Sequence, residues 1–415
     1  MEHNSKKNIL IVGGSAKDWA LIQKLKSYDF IGQIFITTVD KTFDRIANTV
    51  DIRPDNAKEL LEFALENNIS MTIVTDQKSL KSDIETYFVS NGQQIFAPSR
   101  ASAEIIFDKG LCKKLLYKMR IKTPKFAVFD KENLAIDYLN GINFPIIISA
   151  CSSSDRYAVS TVAGARVFIK DLFFRGVEKI VIEEYIYGEE FSYYFLTDGY
   201  KILPLVNCSN RKFLQDNIGG IITDGIGGFA PNYKLNLECV AKVEDIAERI
   251  IIHQEAEGIP YMGIFGINGV LGNDGEIYTL QVANFFKDTD ANMVLNLVED
   301  NIYRLFESCI NGNFSDDYEE ISILDGNCVS CELIAKYDDK LIKGLDLYDS
   351  NEVSASGLIF DKEGNIFTKK SQKLIMTKKA STLSRAALAL YEDIDCINYD
   401  GKEYKTDILS GLKAH

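Results

Sequence analysis

Between residues 8 and 100, short apolar runs alternate with amphipathic helical stretches, and this rhythm restricts the fold more than any other feature of the chain. "NILIVGG", "QIFITTV", "SMTIVTD" and "QIFAPS" read as strands rich in β-branched and aromatic residues. Residues 17–27, "NAKELLEFALENN" and "LKSDIETYFVSN" read as helices, with apolar positions at helical spacing. Strands joined through a helix run parallel, because the crossover returns the chain to the same end of the sheet. The spacing therefore predicts a doubly wound α/β domain. A further helical stretch over residues 101–122 ends before Thr123-Pro124.

From about residue 125 the rhythm changes. "KFAVFD" and "PIIISA" read as strands separated by the helix "KENLAIDYLNG". "KIVIEEYI" and "EFSYYFLTDGYKILPLVNCS" read as one antiparallel run with "DG" turns. A glycine-rich loop, "NIGGIITDGIGGFAP", precedes a helix over residues 237–257. "GIFGINGVLGNDGEIYTLQVA" reads as a hairpin turning at residues 273–275, and a helix over residues 291–311 follows. Residues 322–410 are strand-rich with one helix, "TLSRAALALYEDI". A chain of 415 residues is long enough for several domains. The expected fold is α/β and α+β multidomain.

Composition removes some functions. The formal net charge is −14, whereas binding the backbone of DNA or RNA needs a basic footprint. No apolar run approaches a membrane span, and "MEHNSKK" leads straight into a strand, so the cytoplasm is the expected compartment. Eight cysteines are scattered through the chain and read as reduced core thiols. Cys328 and Cys331 form a CxxC, but without a second pair or a nearby histidine it reads as part of a strand rather than a zinc site. The three histidines are His3, His253 and His415, which argues against a histidine-based triad.

The order of elements and several local motifs resemble the ATP-grasp superfamily, and more narrowly the phosphoribosylamine–glycine ligase (glycinamide ribonucleotide synthetase) family. "NILIVGGSAKDWAL" stands where that family has its opening strand and turn, and "QIFAPSRASAEIIFDKGLCKKLLYKMRIKTPKF" where it leads into the grasp. "IVIEEYIYGEEFSYYFLTDG" matches most closely, and "YMGIFGINGVLGNDGEIYTLQVANFFKDTD" falls on the family's metal-binding hairpin. The resemblance implies a Rossmann-like N-terminal domain over residues 1–100. An ATP-grasp domain of two subdomains follows over 101–320, with its lid near 120–190, and a strand-rich C-terminal domain over 321–415. It also implies ATP-dependent ligation of glycine to 5-phosphoribosylamine in purine biosynthesis, through an acyl phosphate.

The same resemblance assigns roles to residues. Glu183, Glu184, Tyr185 and Ile186 match the segment that crosses the adenine edge, and Glu190 the acid that takes the ribose hydroxyls. Lys109 matches the first ATP lysine and Lys212 a lysine upstream of the glycine-rich motif. The second ATP lysine falls at Ser149, and the lid reads "CSSSDRYA". Arg156 beside Asp155 reads as a solvated loop pair, or as a cation supplied from the loop. Where the family carries Glu-Phe-Asn and then Arg-Phe-Gly-Asp-Pro-Glu, this chain has Gln281-Val282-Ala283, then Phe285 to Lys287, Asp288, Thr289 and Asp290. Gln281, Asp288 and Asp290 are the metal candidates, and Lys287 adds positive charge beside them. The motif around Gly220, Thr223, Asp224, Gly225 and Gly227 keeps three glycines, which serve either a substrate loop or only turns.

Two readings stay open. One is an ATP-dependent carboxylate–amine ligase with a nucleotide and a small-molecule substrate as partners. The other is a catalytically inactive paralogue that keeps the fold for nucleotide or protein-partner binding. ATP is the implied cofactor and magnesium is doubtful, because a neutral or missing ligand holds the ion weakly. Neither nucleic acid nor membrane is an expected partner, and no catalytic residue is assigned.

Overall fold

The computed structural model describes residues 6–153, 155–214, 220–221, 223, 225–345 and 351–412. The opening alternation forms a five-stranded parallel sheet in the order Asn48–Thr49, Ile31–Ile36, Lys7–Val12, Ile69–Val74, Ile95–Phe96. Both faces are covered. Ile9, Ile11 and Ile73 belong to one core, and Leu10, Val12 and Val74 to another. That is why the strands read as unbroken apolar runs. The strand order reverses between Lys7–Val12 and Ile69–Val74, which opens a crevice at the carboxyl ends of the strands.

Two larger sheets make the rest. A mainly antiparallel sheet of five strands runs Gly220–Ile221, Arg156–Val159, Ile146–Ala150, Ile180–Glu184, Phe126–Phe129. An eight-stranded sheet runs Ile277–Ala283, Met262–Gly272, Gly188–Asp198, Ile202–Arg211, Gly227–Ala230, Asn327–Glu332, Lys373–Ala380, Val353–Ser356. The last three of these strands come from the C-terminal part of the chain, so its backbone pairing continues the central sheet. Gly227 permits this junction: a Cβ there would lie 2.5 Å from the Ser330 carbonyl oxygen on the C-terminal strand beside it. Cys328 and Cys331 are buried inside the strand Asn327–Glu332, as free thiols.

Three expectations need correction. The strand Ile180–Glu184 does not pair with Gly188–Asp198; it pairs with Phe126–Phe129 and Ile146–Ala150, and residues 185–187 carry the chain from one sheet to the other. The helical stretch over 101–122 is two helices, Arg100–Phe107 and Lys109–Lys118, because Asp108 ends the first and its carboxylate caps the second at the Leu111 N–H, 3.1 Å. The stretch over 291–311 is also two helices, Asp288–Leu297 and Ile302–Ile310. Between them Val298 bridges to Ile323, Asp300 accepts from the Ser322 N–H, and Asn301 caps the second helix. No helix among the described residues is long and apolar enough to cross a membrane.

Candidate functional site

The crossing at residues 185–187 forms one wall of a narrow cavity between the two larger sheets. Ile147 lines it from the five-stranded sheet, Val270 and Leu280 from the hairpin of the eight-stranded sheet, and Pro124 closes one side. Glu183, Glu184, Tyr185, Ile186, Glu190 and Arg156 complete the lining. The cavity's walls are apolar on two opposed sheets with a polar rim, but it encloses only about 20 Å³, so a flat heteroaromatic ring enters only if the sheets part. Five of the seven residues assigned to nucleotide binding from sequence therefore come together here.

Their side chains fix the backbone of the crossing. The Glu183 carboxylate lies 2.5 Å from the Lys113 ammonium, both are buried, and Lys113 also donates to Thr123 Oγ1 at 2.8 Å. Glu184 Oε1 accepts from the Lys125 N–H at 2.9 Å, and the Tyr185 N–H donates to the Pro145 carbonyl at 3.3 Å. The Glu183 and Glu184 carboxylates are thus spent inside the protein, on Lys113 and on the main chain of Lys125. Tyr185 stacks edge-on against Tyr187, and burial with the nearby Glu190 charge pushes its hydroxyl up to about 12.

Beyond the rim the site becomes polar. Side chains alternate along Gly188–Asp198: Phe191, Tyr193 and Phe195 enter an apolar core, while Glu190, Ser192 and Tyr194 face the other way. Ser192 stands opposite Asn268, and Asn268 opposite Gln281. Ser192 Oγ donates to Asn268 Oδ1 at 2.6 Å and accepts from Asn210 Nδ2 at 3.1 Å and from Lys287 Nζ at 2.8 Å. One donor and two acceptors exhaust a hydroxyl. Lys287 Nζ also donates to Asn210 Oδ1 at 2.8 Å. Ser192, Asn210 and Asn268 were not singled out from sequence; their only signal is a lone polar residue at an inward position of an apolar strand.

Glu190 is paired with the Lys212 ammonium. Burial alone would raise the Glu190 carboxyl, but Lys212, Arg156 and Lys287 outweigh it and hold it below the usual carboxylate range. For Lys212, burial and the neighbouring Arg156 and Lys287 charges exceed the pull of Glu190 and bring the ammonium down to about 7. Lys212 thus touches a half-buried carboxylate and Arg156 lines the same cavity, in a chain whose net charge is −14.

Arg156 corrects the loop-pair expectation. Asp155 turns away to Arg175, 3.1 Å, and to Ser153 Oγ, 2.7 Å, while Arg156 lines the cavity. Lys109 does not line it; its ammonium donates to the Ser153 carbonyl of the lid at 3.1 Å. Ser149 is fully buried, and its hydroxyl has no hydrogen-bond partner among the described residues.

The metal candidates are dispersed. Asp288 Oδ1 accepts from the backbone N–H of Lys17 at 2.9 Å. Asp290 is fully buried and accepts from the Tyr194 hydroxyl at 2.7 Å; burial, only partly offset by Lys287, raises its carboxyl above the ordinary range. Gln281 sits in register with Asn268. No group of three or more His, Cys, Asp or Glu side chains among the described residues is placed to hold a metal ion. In the glycine-rich motif, Thr223 Oγ1 donates to the Lys212 carbonyl at 2.9 Å, and Gly225 approaches Thr289; Asp224 lies outside the described residues.

Known proteins match this arrangement along nearly its whole length. The N domain of phosphoribosylglycinamide synthetase matches residues 7–105, and the ATP-grasp (A) domain of the same protein matches residues 107–291. The phosphoribosylamine–glycine ligase of Caldanaerobacter subterraneus is 26% identical over 420 residues, covering 97% of this chain and 99% of that protein. That of Clostridium acetobutylicum is 26% identical over 414 residues, covering 96% and 99%. Among solved structures, phosphoribosylamine–glycine ligase from Thermotoga maritima superposes with a TM-score of 0.77 at 18% identity, covering 96% of this chain and 99% of that one. The biotin carboxylase domain of Hydrogenobacter thermophilus 2-oxoglutarate carboxylase superposes with 0.73 at 13% identity, covering 98% and 93%. With both domain matches in sequence order on one chain, the protein belongs to the phosphoribosylglycinamide synthetase family of ATP-grasp proteins.

Proposed function

We propose that this protein is a phosphoribosylamine–glycine ligase-like ATP-grasp protein that binds an adenine nucleotide between its two larger sheets. The observation that carries this reading is the cavity at residues 183–186, apolar on both sheets, with Glu190, Lys212 and Arg156 at its polar end. Family membership supplies the reaction: ATP-dependent joining of a glycine carboxylate to the amine of 5-phosphoribosylamine, in the cytoplasm, as a step in purine synthesis. In that reaction Glu190 would take the ribose hydroxyls, and Lys212 and Arg156 the phosphate charge.

Magnesium is part of the family chemistry, and the side chains here do not fit it. A magnesium ion needs hard oxygens left free to coordinate. Asp288 spends one carboxylate oxygen on Lys17, Asp290 is buried against Tyr194, and Ala283 offers no ligand. That commitment favours a second reading, a paralogue that binds nucleotide without turnover. An assay of the purified protein with ATP, glycine and phosphoribosylamine separates the two. Formation of ADP and glycinamide ribonucleotide supports the ligase. ATP binding with no ADP formed supports the paralogue. Glu190→Ala should abolish nucleotide binding in either case, and unchanged binding would remove the site.

A further inference from the structure

Resting on the nucleotide-binding reading, we infer that this site holds its ligand's phosphates with fixed side-chain cations instead of a divalent ion, the Lys287 ammonium taking the place of the metal. Lys287 lies in the segment where the family pattern carries metal carboxylates, and its position is built rather than incidental. Two of its three N–H donors go to Ser192 Oγ and Asn210 Oδ1, each at 2.8 Å. Those two partners are 0% and 4% exposed, and Ser192 is itself locked by Asn268. An ammonium held this way cannot swing out to admit a dication, and like charges in a partly dry site repel strongly.

The carboxylates that would have neutralised a metal have been withdrawn in two directions. Asp288 caps the first turn of the helix Ala16–Lys26, and Asp290 is buried against Tyr194. What remains at the polar end of the cavity is Arg156 on its lining, Lys212 on Glu190, and Lys287 on Ser192, the next residue of that strand facing the same way as Glu190. This surplus of fixed positive charge is complementary to a polyphosphate that arrives without its counter-ion. A ligand bound as magnesium–ATP would bring a dication against Lys287.

The test is calorimetric titration of the full-length native protein with ATP, in EDTA and in excess magnesium, followed by tripolyphosphate as a competitor in EDTA. ATP should bind as tightly or more tightly in EDTA, tripolyphosphate should displace it, and Lys287→Gln should weaken binding about tenfold or more. Lys287→Arg, which keeps the charge, should retain most of the affinity and guards against a folding defect in the glutamine variant. Binding that appears only with magnesium, or is tightened by it, overturns the inference while leaving the nucleotide site in place. Full affinity in Lys287→Gln overturns it as well. Absence of ATP binding in both conditions removes the nucleotide reading and this inference with it.

Discussion

The Asp288 carboxylate accepts a hydrogen bond from the backbone N–H of Lys17 at 2.9 Å, tying the first turn of the helix Asp288–Leu297 to the first turn of the helix Ala16–Lys26. Asp18 accepts from the Gly14 and Ser15 N–H groups at 2.7 and 2.8 Å on the same helix end. A helix N-terminus at the crevice of a doubly wound sheet is ordinarily suited to an external anion. Here two carboxylates of the chain already occupy it, and the N-terminal domain is fastened to the grasp by the same bond.

Removing that bond should loosen the junction. Asp288→Ala is expected to cost about 1 kcal/mol and to speed amide exchange at residues 14–17. Asp288→Asn keeps an acceptor oxygen and should stay close to the native protein. Hydrogen exchange followed by mass spectrometry reads both. Equal protection in the alanine variant would show that the bond contributes nothing to the junction.

Proton uptake should accompany anion binding. Lys212 titrates near 7 in the free protein because burial and the charges of Arg156 and Lys287 outweigh Glu190. A bound phosphate adds negative charge and raises that value. Above about pH 7 the free ammonium is partly deprotonated, so binding takes up a proton and affinity falls as pH rises toward the ordinary lysine range. Binding enthalpies measured in buffers of different ionisation heat should give a positive proton count at pH 8 that vanishes in Lys212→Met. A zero count in the native protein would place Lys212 away from the ligand.

The buried pair beneath the crossing segment should behave asymmetrically. Lys113→Met leaves the Glu183 carboxylate buried without its cation and should cost about 3–5 kcal/mol. Lys113→Met combined with Glu183→Leu removes both charges and should recover most of the loss. Thermal unfolding midpoints compare the two. A double variant as unstable as the single would mean that the charge itself is not what the fold needs at this position.

Arg175 should act on the site from outside it. It holds Asp155 away from the cavity at 3.1 Å and is also anchored by Asp171 at 2.9 Å. Arg175→Ala leaves Asp155 on Ser153 Oγ but without its cation, so its charge acts on the neighbouring Arg156 at the cavity rim. Weaker ATP binding at unchanged thermal stability is expected, and the effect should disappear in Arg175→Ala combined with Asp155→Asn. An unchanged ATP affinity in Arg175→Ala would mean that Arg156 does not contact the ligand.

The sequence alone determined the opening parallel sheet and the hairpin, but not how the remaining strands divide between the two larger sheets. Strand–helix alternation over residues 8–100 requires parallel pairing, and the glycine turn of the hairpin at residues 273–275 fixes its partners, because both rest on local periodicity and turn chemistry. It also marked the stretch from Glu183 to Glu190, since consecutive residues at a sheet crossing stay together however the rest of the chain packs. What the sequence could not decide is where a charged side chain spends its charge. Asp288 and Asp290 are two positions apart, yet one reaches a helix 271 residues away in sequence and the other a tyrosine inside the sheet. Asp155 and Arg156 are adjacent, yet alternate sides of the chain send one to Arg175 and the other into the cavity. Lys287 meets Ser192 and Asn210 only because two strands and the start of a helix converge there. Ion pairing and hydrogen bonding act over a few ångströms in space, and only the tertiary fold sets those distances.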